Sequence, residues 1–112
     1  MLNHLDRVFQ ALADATRRDL VERLTAGPSS VTALAKPLEM SLPAVMQHLR
    51  VLEEAGLIRS EKVGRVRTCQ IEPAALRQAE DWLSRQRTSW EHRLDRLGDL
   101  LAEEEPKPKR RK

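Results

Sequence analysis

The chain has 112 residues, of which 40% are hydrophobic and 33% charged, and its formal net charge is +3. This length fits one small domain, and no apolar run approaches the ~20 residues that a membrane-spanning helix requires. A single cysteine excludes an internal disulfide and a four-cysteine zinc site, so the composition favours a reducing, cytoplasmic setting.

The basic excess lies in the last residues of the chain. Five cations are found there, namely Lys107, Lys109, Arg110, Arg111 and Lys112. Residues 1–106 carry 15 basic and 17 acidic side chains, a net charge of −2. The position of each cation is therefore better evidence about nucleic-acid binding than the net charge of the chain. The charged, proline-containing segment 103–112 is expected to be a disordered tail.

Two amphipathic helices are predicted at the start of the chain. The apolar residues of the first follow helical spacing: Leu5, Val8, Phe9 and Leu12. Asp14 can cap the second helix, because its carboxylate can accept from backbone N–H groups one turn later. That helix carries Leu20, Val21 and Leu24 inward and stops at Gly27-Pro28.

A short helix and a well-bounded helix come next, at about 31–38 and 42–55. Ser29 or Ser30 can cap the short one, and Pro37 limits its length. For the second, Ser41 is a good N-cap and Pro43 falls in the first turn, where no intrahelical N–H is required. Its inward stripe and C-terminal stop are Val45, Leu49, Leu52 and Gly56.

Residues 57–63 and 66–71 are β-prone and flank Gly64-Arg65, which predicts a hairpin with a short turn. Segment 57–71 holds four cations against one acid, Glu61, although residues 1–106 are net negative. The cations are Arg59, Lys62, Arg65 and Arg67. Such a charged hairpin can contact phosphates, or it can be an exposed face kept charged to prevent strand pairing. Cys69 is expected to pack near the base of the hairpin.

A long helix, 73–101, follows Glu72-Pro73. Its apolar residues fall three or four apart over about seven turns, with one polar lapse at Gln86. This seam consists of Leu76, Ala79, Leu83, Gln86, Trp90, Leu94, Leu97 and Leu101. A domain this small cannot cover a helix about 40 Å long, so a partner helix is expected. Trp82 and Trp90 lie eight residues apart and are expected to pack rather than to form a ligand pocket.

The order of these elements predicts a mainly α fold with a small β-hairpin, a winged helix-turn-helix over 1–102. A helix fits the major groove of double-stranded DNA, the preceding helix holds it in place, and the hairpin, or wing, reaches the flanking groove. With its apolar stripe facing inward, the helix at 42–55 presents six residues to the solvent: Ser41, Pro43, Ala44, Gln47, His48 and Arg50. Gln47 suits adenine, and Ala44 can touch a thymine methyl group.

Three stretches resemble the ArsR family of bacterial repressors, in the branch that lacks a metal-binding motif. They are LADATRRDLVERL, VTALAKPLEMSLPAVMQHLRVLEEAGLI and GRVRTCQIEPAAL. The resemblance covers residues 3–100 and implies a dimer paired through its first and last helices, which represses or autorepresses at a palindromic operator. The implied interface residues are Leu5, Phe9, Leu83, Trp90, Leu94, Leu97 and Leu101. Two departures are Ala15, where many relatives carry proline, and Met46, where many carry serine. The first concerns only helix initiation, whereas the second removes a polar contact to DNA and leaves the operator sequence open.

Other functions find less support in the sequence. No metal site, cofactor or inducer is indicated, because VTALAKPLEM has no cysteine and His92 with Asp95 forms only half a site. A single-strand RNA binder stacks bases on aromatic side chains, and this chain, with no Tyr and one Phe, lacks such a platform. No catalytic motif is present. The alternative that remains is a winged-helix protein-interaction module without specific DNA binding, which the basic wing disfavours.

Overall fold

The computed structural model describes residues 3–104 and contains five helices and three strands in that range. The elements are α1 (His4–Leu12), α2 (Ala15–Thr25), β1 (Ser29–Ser30), α3 (Val31–Ala35), α4 (Leu42–Glu54), β2 (Ile58–Val63), β3 (Val66–Ile71) and α5 (Pro73–Glu104). The predicted mainly α fold with a small hairpin is confirmed. The chain divides into two compact units, residues 1–79 and 80–112.

Local capping sets most of the helix boundaries. Asp14, Ser30 and Ser41 each accept a hydrogen bond from the backbone N–H three residues later, which satisfies a donor that the first turn leaves free. At the other end of α4, Gly56 has φ +77°, the left-handed conformation predicted for this stop. These predictions from the sequence are confirmed.

The core of the first unit lies between the helices and one face of the sheet. The inward residues predicted for α2 and α4 are all buried, and so are Val8 of α1 and Cys69 of β3. Leu5, Phe9 and Leu12 pack against this core and are partly buried. Cys69 is 1% exposed, which confirms its predicted place at the base of the wing.

The sheet has one strand more than the sequence predicted. Its order is β1-β3-β2, all antiparallel, with Ser30 opposite Thr68 and Val63 opposite Val66 at the turn. Because the N-cap position of a helix has extended backbone geometry, Ser30 both caps α3 and pairs with β3. This strand ties the start of the helix-turn-helix to the wing.

Helix α5 begins at Pro73, as predicted, and continues to Glu104, three residues beyond the predicted range. In the first unit, Ala79 is buried and Leu76 packs against the core. From Leu83 onward, the apolar seam residues of α5 are about half exposed. The remainder of the expected tail, 105–112, lies outside the described residues.

Candidate nucleic-acid interface

The exposed face of α4 is the one predicted from its apolar stripe. Pro43, Gln47 and Arg50 are exposed, whereas Ala44 and His48 are half-buried at one edge of that face. The buried stripe on the opposite side fixes this orientation, because it packs into the core. An α-helix held in this way can enter the major groove of DNA with this face outward.

Gln47 and Arg50 interact with each other. Arg50 Nη1 donates to Gln47 Oε1 at 2.8 Å, a contact between side chains three residues apart on the same helix. This bond orients the amide of Gln47 so that its NH₂ group remains free to donate. Oε1 keeps a second lone pair, so the amide can still engage an adenine edge in bidentate fashion.

His48 makes its contacts within the fold. Its Nδ1 accepts from Arg17 Nη1 at 3.3 Å and lies 3.9 Å from Asp14 Oδ1. Since an arginine only donates, this arrangement places the proton of a neutral ring on Nε2. Of the six residues predicted on α4, His48 is the one whose side chain links α4 to another helix.

Asp14, which caps α2, and Arg17 of α2 are the residues that His48 contacts from α4. The pKa of Asp14 is lowered mainly because its carboxylate accepts from the backbone N–H of Arg17. Burial opposes the shift, and the positive charges of Arg17 and of His48, when that ring is protonated, add to it. Arg17 also donates through Nε to Ala11 O at 2.7 Å and through Nη2 to Gln10 O at 3.1 Å. These carbonyls belong to the last turn of α1, where no backbone N–H four residues later completes the helical pattern; Gln10 O also accepts from Ala13 N at 3.2 Å.

Two further arginines of α2 act in the same way. Arg18 donates to Leu12 O at 2.8 Å, and Arg23 donates to Leu34 O at 2.7 Å and to Ala33 O at 3.0 Å. Cations near helix C-termini also interact favourably with the helix dipole. These roles could not be predicted from the sequence, because apolar periodicity carries no signal for a side chain that bonds to the backbone of another element.

Ser41 holds the start of α4. Its Oγ accepts from the N–H of Ala44 at 3.3 Å, and its own hydroxyl hydrogen is left to donate outward. The side chain is exposed at the end of the helix that carries the positive end of the dipole. This geometry suits a phosphate oxygen next to the recognition surface.

The four cations of the wing occupy different positions. Lys62 and Arg67 lie directly opposite each other on β2 and β3, and both are exposed. Like charges directly across a strand pair repel, so this pair destabilises the free hairpin unless an anion lies beside it. Arg65 is exposed in the turn, next to Gly64 with φ +63°. Arg59 alternates to the other face, where its Nη1 lies 3.8 Å from Glu72 Oε2.

A chain of hydrogen bonds joins the wing to α4. Arg67 Nη1 donates to Ser60 Oγ at 3.0 Å, and Ser60 Oγ donates to Glu53 Oε1 at 2.9 Å. These side chains and Cys69 line a cleft of about 220 Å³ between α4 and the wing. Burial and the Glu53 carboxylate raise the pKa of the Cys69 thiol, so it stays protonated at neutral pH, although Arg67 opposes the shift.

The predicted dimer residues fall in the two compact units. Leu5 and Phe9 are partly buried in the first unit and pack against its own core. In the second unit, Leu83, Trp90, Leu94, Leu97 and Leu101 are 48–59% exposed. Leu100, which the seam spacing omitted, is 51% exposed as well.

Metal ligands and membrane spans were sought within residues 3–104. No group of three or more His, Cys, Asp or Glu side chains in this range could hold a metal ion. Nor does any helix of this range combine the length and apolarity needed to cross a bilayer.

Comparison with protein families and curated proteins points to gene regulation. A helix-turn-helix domain family matches residues 12–61, which include α2 to α4 and the first four residues of β2. The HTH-type transcriptional regulator Rv2034 of Mycobacterium tuberculosis is 46% identical over 98 residues, which cover 84% of this chain and 92% of that protein. The transcriptional repressor SdpR of Bacillus subtilis is 25% identical over 79 residues, covering 70% of this chain and 88% of SdpR.

Solved structures show the same similarity. The crystal structure of the ArsR family transcriptional regulator RHA00566 is 50% identical, covers 79% of this chain and 91% of its own, and superposes with a TM-score of 0.76. The homodimeric winged helix-turn-helix DNA-binding domain of Mb0332 from Mycobacterium bovis shares the fold at 22% identity. Its TM-score is 0.59, and the similarity covers 83% of each chain.

Proposed function

This chain belongs to the ArsR family of winged helix-turn-helix transcriptional regulators, and we propose that it is a repressor that binds a palindromic operator in double-stranded DNA as a homodimer. The observation that carries DNA binding is the like-charged pair Lys62 and Arg67 beside α4. The bond from Arg67 to Ser60 gives Arg67 a role within the fold, but a cation at Lys62 directly opposite it adds repulsion, whereas the phosphates of a duplex stabilise both side chains.

The division of roles follows from position. Gln47, held by Arg50 on the exposed face of α4, reads a base edge in the major groove, where hydrogen-bonding patterns distinguish all base pairs. Ser41 and the wing cations contact phosphates and set the orientation of the protein on the duplex. Ala44 and His48 lie at the edge of this surface and contribute less. Arg59, which faces Glu72, is the wing cation least suited to DNA contact.

Dimerisation and a palindromic operator are proposed together. The half-exposed apolar seam from Leu83 to Leu101 supports a partner helix, and the M. bovis protein of the same fold is homodimeric. A two-fold dimer carries two α4 helices, which read half-sites about one DNA turn apart. Repression is supported by SdpR, which is a transcriptional repressor. Such a protein works in the compartment that holds the DNA, which agrees with the predicted cytoplasmic setting.

The test is selection of a binding site from random duplexes, followed by fluorescence anisotropy on the selected site and on random DNA over a range of salt. Gln47→Ala should lose about 1–3 kcal/mol on the selected site and little on random DNA. Arg65→Ala should weaken both DNAs alike and reduce the salt slope by about one phosphate contact per subunit.

Two results would contradict the proposal. Enrichment of no sequence from the random pool would argue for a protein-interaction module instead. Equal losses on both DNAs for Gln47→Ala would mean that this residue contacts only the backbone and that a neighbour reads the base.

A further inference from the structure

Two large apolar side chains are exposed on the recognition helix. Leu42 is 49% exposed and Met46 is 39% exposed, and they lie one turn apart at the start of α4. Neither belongs to the buried stripe, which is formed by other residues of the same helix. The fold therefore does not need them to be apolar, because polar residues at these positions would leave the core intact.

Both side chains face the wing. With Val66, they line an open cleft of about 340 Å³ between α4 and the tip of the hairpin. The same cleft is lined by three cations, Lys62, Arg65 and Arg67. Ser30, Val31 and Thr32 complete the lining, so the surface is apolar where α4 contributes to it and carries all three of its charges on the wing.

An occupant of this cleft needs apolar groups next to anionic groups. The major groove of double-stranded DNA offers both, because each thymine presents a C5-methyl group and the phosphates run along the groove edge. A wholly apolar partner surface would leave the three cations unpaired. The charge of the cleft therefore favours DNA over a second apolar protein surface.

We propose that Leu42 and Met46 read thymine C5-methyl groups, so that this protein recognises a thymine-containing half-site by apolar contact as well as by hydrogen bonds. The inference rests on the proposed function and specifies how that site selects its sequence. Leu42 and Met46 are separated by about 6 Å along the helix axis, close to two base steps of ~3.4 Å. The thymines that they read should therefore lie within about three base pairs of each other.

The experiment replaces thymine by deoxyuridine, one position at a time, in a duplex site that the unmutated protein has selected from a random pool. This change removes one methyl group and leaves every hydrogen-bonding atom of the base in place. The unmutated protein should bind about fourfold more weakly at one or two such positions per half-site.

Substitutions at Leu42 and Met46 show which of the two residues contacts each thymine methyl group. Met46→Ser and Leu42→Gln should each bind the thymine and deoxyuridine duplexes equally at the position that the replaced residue reads, whereas Met46→Leu should keep the difference. Val63→Ser is the matched control, since Val63 is 69% exposed at the wing turn and is not among the residues lining the cleft. It should retain the full thymine preference. Circular dichroism should show the same helix content for all four variants.

The outcomes separate this inference from the proposed function. If the protein selects a sequence but no deoxyuridine weakens binding by more than about twofold, the methyl reading is wrong and specific DNA binding stands. If Met46→Ser and Leu42→Gln both retain the thymine preference, another residue reads the methyl group and the assignment is wrong. If no sequence is selected, the proposed function itself fails.

Discussion

Asp14 and Arg17 illustrate how two neighbouring side chains can link three helices. Asp14 caps α2, accepting from Arg17 N at 3.0 Å, and it lies beside His48 of α4, while Arg17 reaches back to the end of α1. The cap could be predicted from the sequence because it depends on residues within one turn. The links to α1 and α4 could not, because they depend on which helices the fold brings together.

The ionised carboxylate of Asp14 should make the free energy of unfolding depend on pH in the acid range. Because its pKa is lower in the folded protein, the ionised carboxylate stabilises the fold above the unfolded-state pKa of about 4, and this contribution is lost as the pH falls through the folded-state value. Asp14→Asn keeps a good N-cap but cannot ionise. Urea unfolding should show the unmutated protein more stable than Asp14→Asn at pH 7, with the difference shrinking as the pH falls below 4. A difference independent of pH would contradict this account.

The cap itself can be measured separately. Asp14→Ala removes both the acceptor and the charge, so it should lower the free energy of unfolding at pH 7 by about 0.5–2 kcal/mol. The loss should exceed that of Asp14→Asn at the same pH. The matched control is Asp6→Ala in α1, which also loses a capping contact, but one that is exposed and joins no second helix. An equal loss for the two alanine variants would mean that the contacts of Asp14 beyond its own helix add nothing.

At the scale of elements, the wing is held to the recognition helix by side chains. The bonds from Arg67 to Ser60 and from Ser60 to Glu53 cross from β3 through β2 to α4. The hairpin could be predicted from its β-prone segments and Gly64-Arg65. The pairing of β1 could not, because a strand of two serines has neither apolar residues nor a period to detect.

A double-mutant cycle should measure this link. Glu53→Ala and Ser60→Ala each break the bond between α4 and the wing, so together they should cost less than the sum of their separate effects. The coupling free energy should be about 0.5–1.5 kcal/mol in urea unfolding. The control pairs the same change at Glu54 with Ser60→Ala, because Glu54 is also exposed on α4 but makes no described bond to Ser60. The effects of that pair should be additive. Additive effects for Glu53 and Ser60 would show that the bond contributes nothing to stability.

For the whole molecule, the decisive feature is an apolar seam that begins inside the core and continues beyond it. Leu76 and Ala79 of α5 belong to or pack against the core of the first unit, whereas Leu94 and Leu97 are half exposed in the second. The seam could be predicted from its spacing of three and four. Its buried and exposed parts could not be told apart, because the same spacing serves a core and a partner helix.

Charging the exposed part of the seam should separate the subunits. Leu94→Glu combined with Leu97→Glu places two carboxylates on the half-exposed apolar seam. If that seam is a dimer interface, association would bury both charges, which costs free energy. The core of residues 3–79 does not include either position, so the variant should remain folded. Analytical ultracentrifugation should give a dimer for the unmutated protein at micromolar concentration and a monomer for the variant. Binding to a full palindromic site should fall towards that of a single half-site, because the two reading helices are no longer linked.

Thr88→Glu combined with Ser89→Glu is the matched control for added charge. Both residues are exposed on α5 and lie outside the spacing of the seam, so two new carboxylates there should leave the dimer intact. If this control also dissociates, net charge rather than the seam governs assembly. If the unmutated protein is a monomer at micromolar concentration, the seam is not a dimer interface, and the palindromic operator loses its physical basis, because a single α4 helix reads only one half-site.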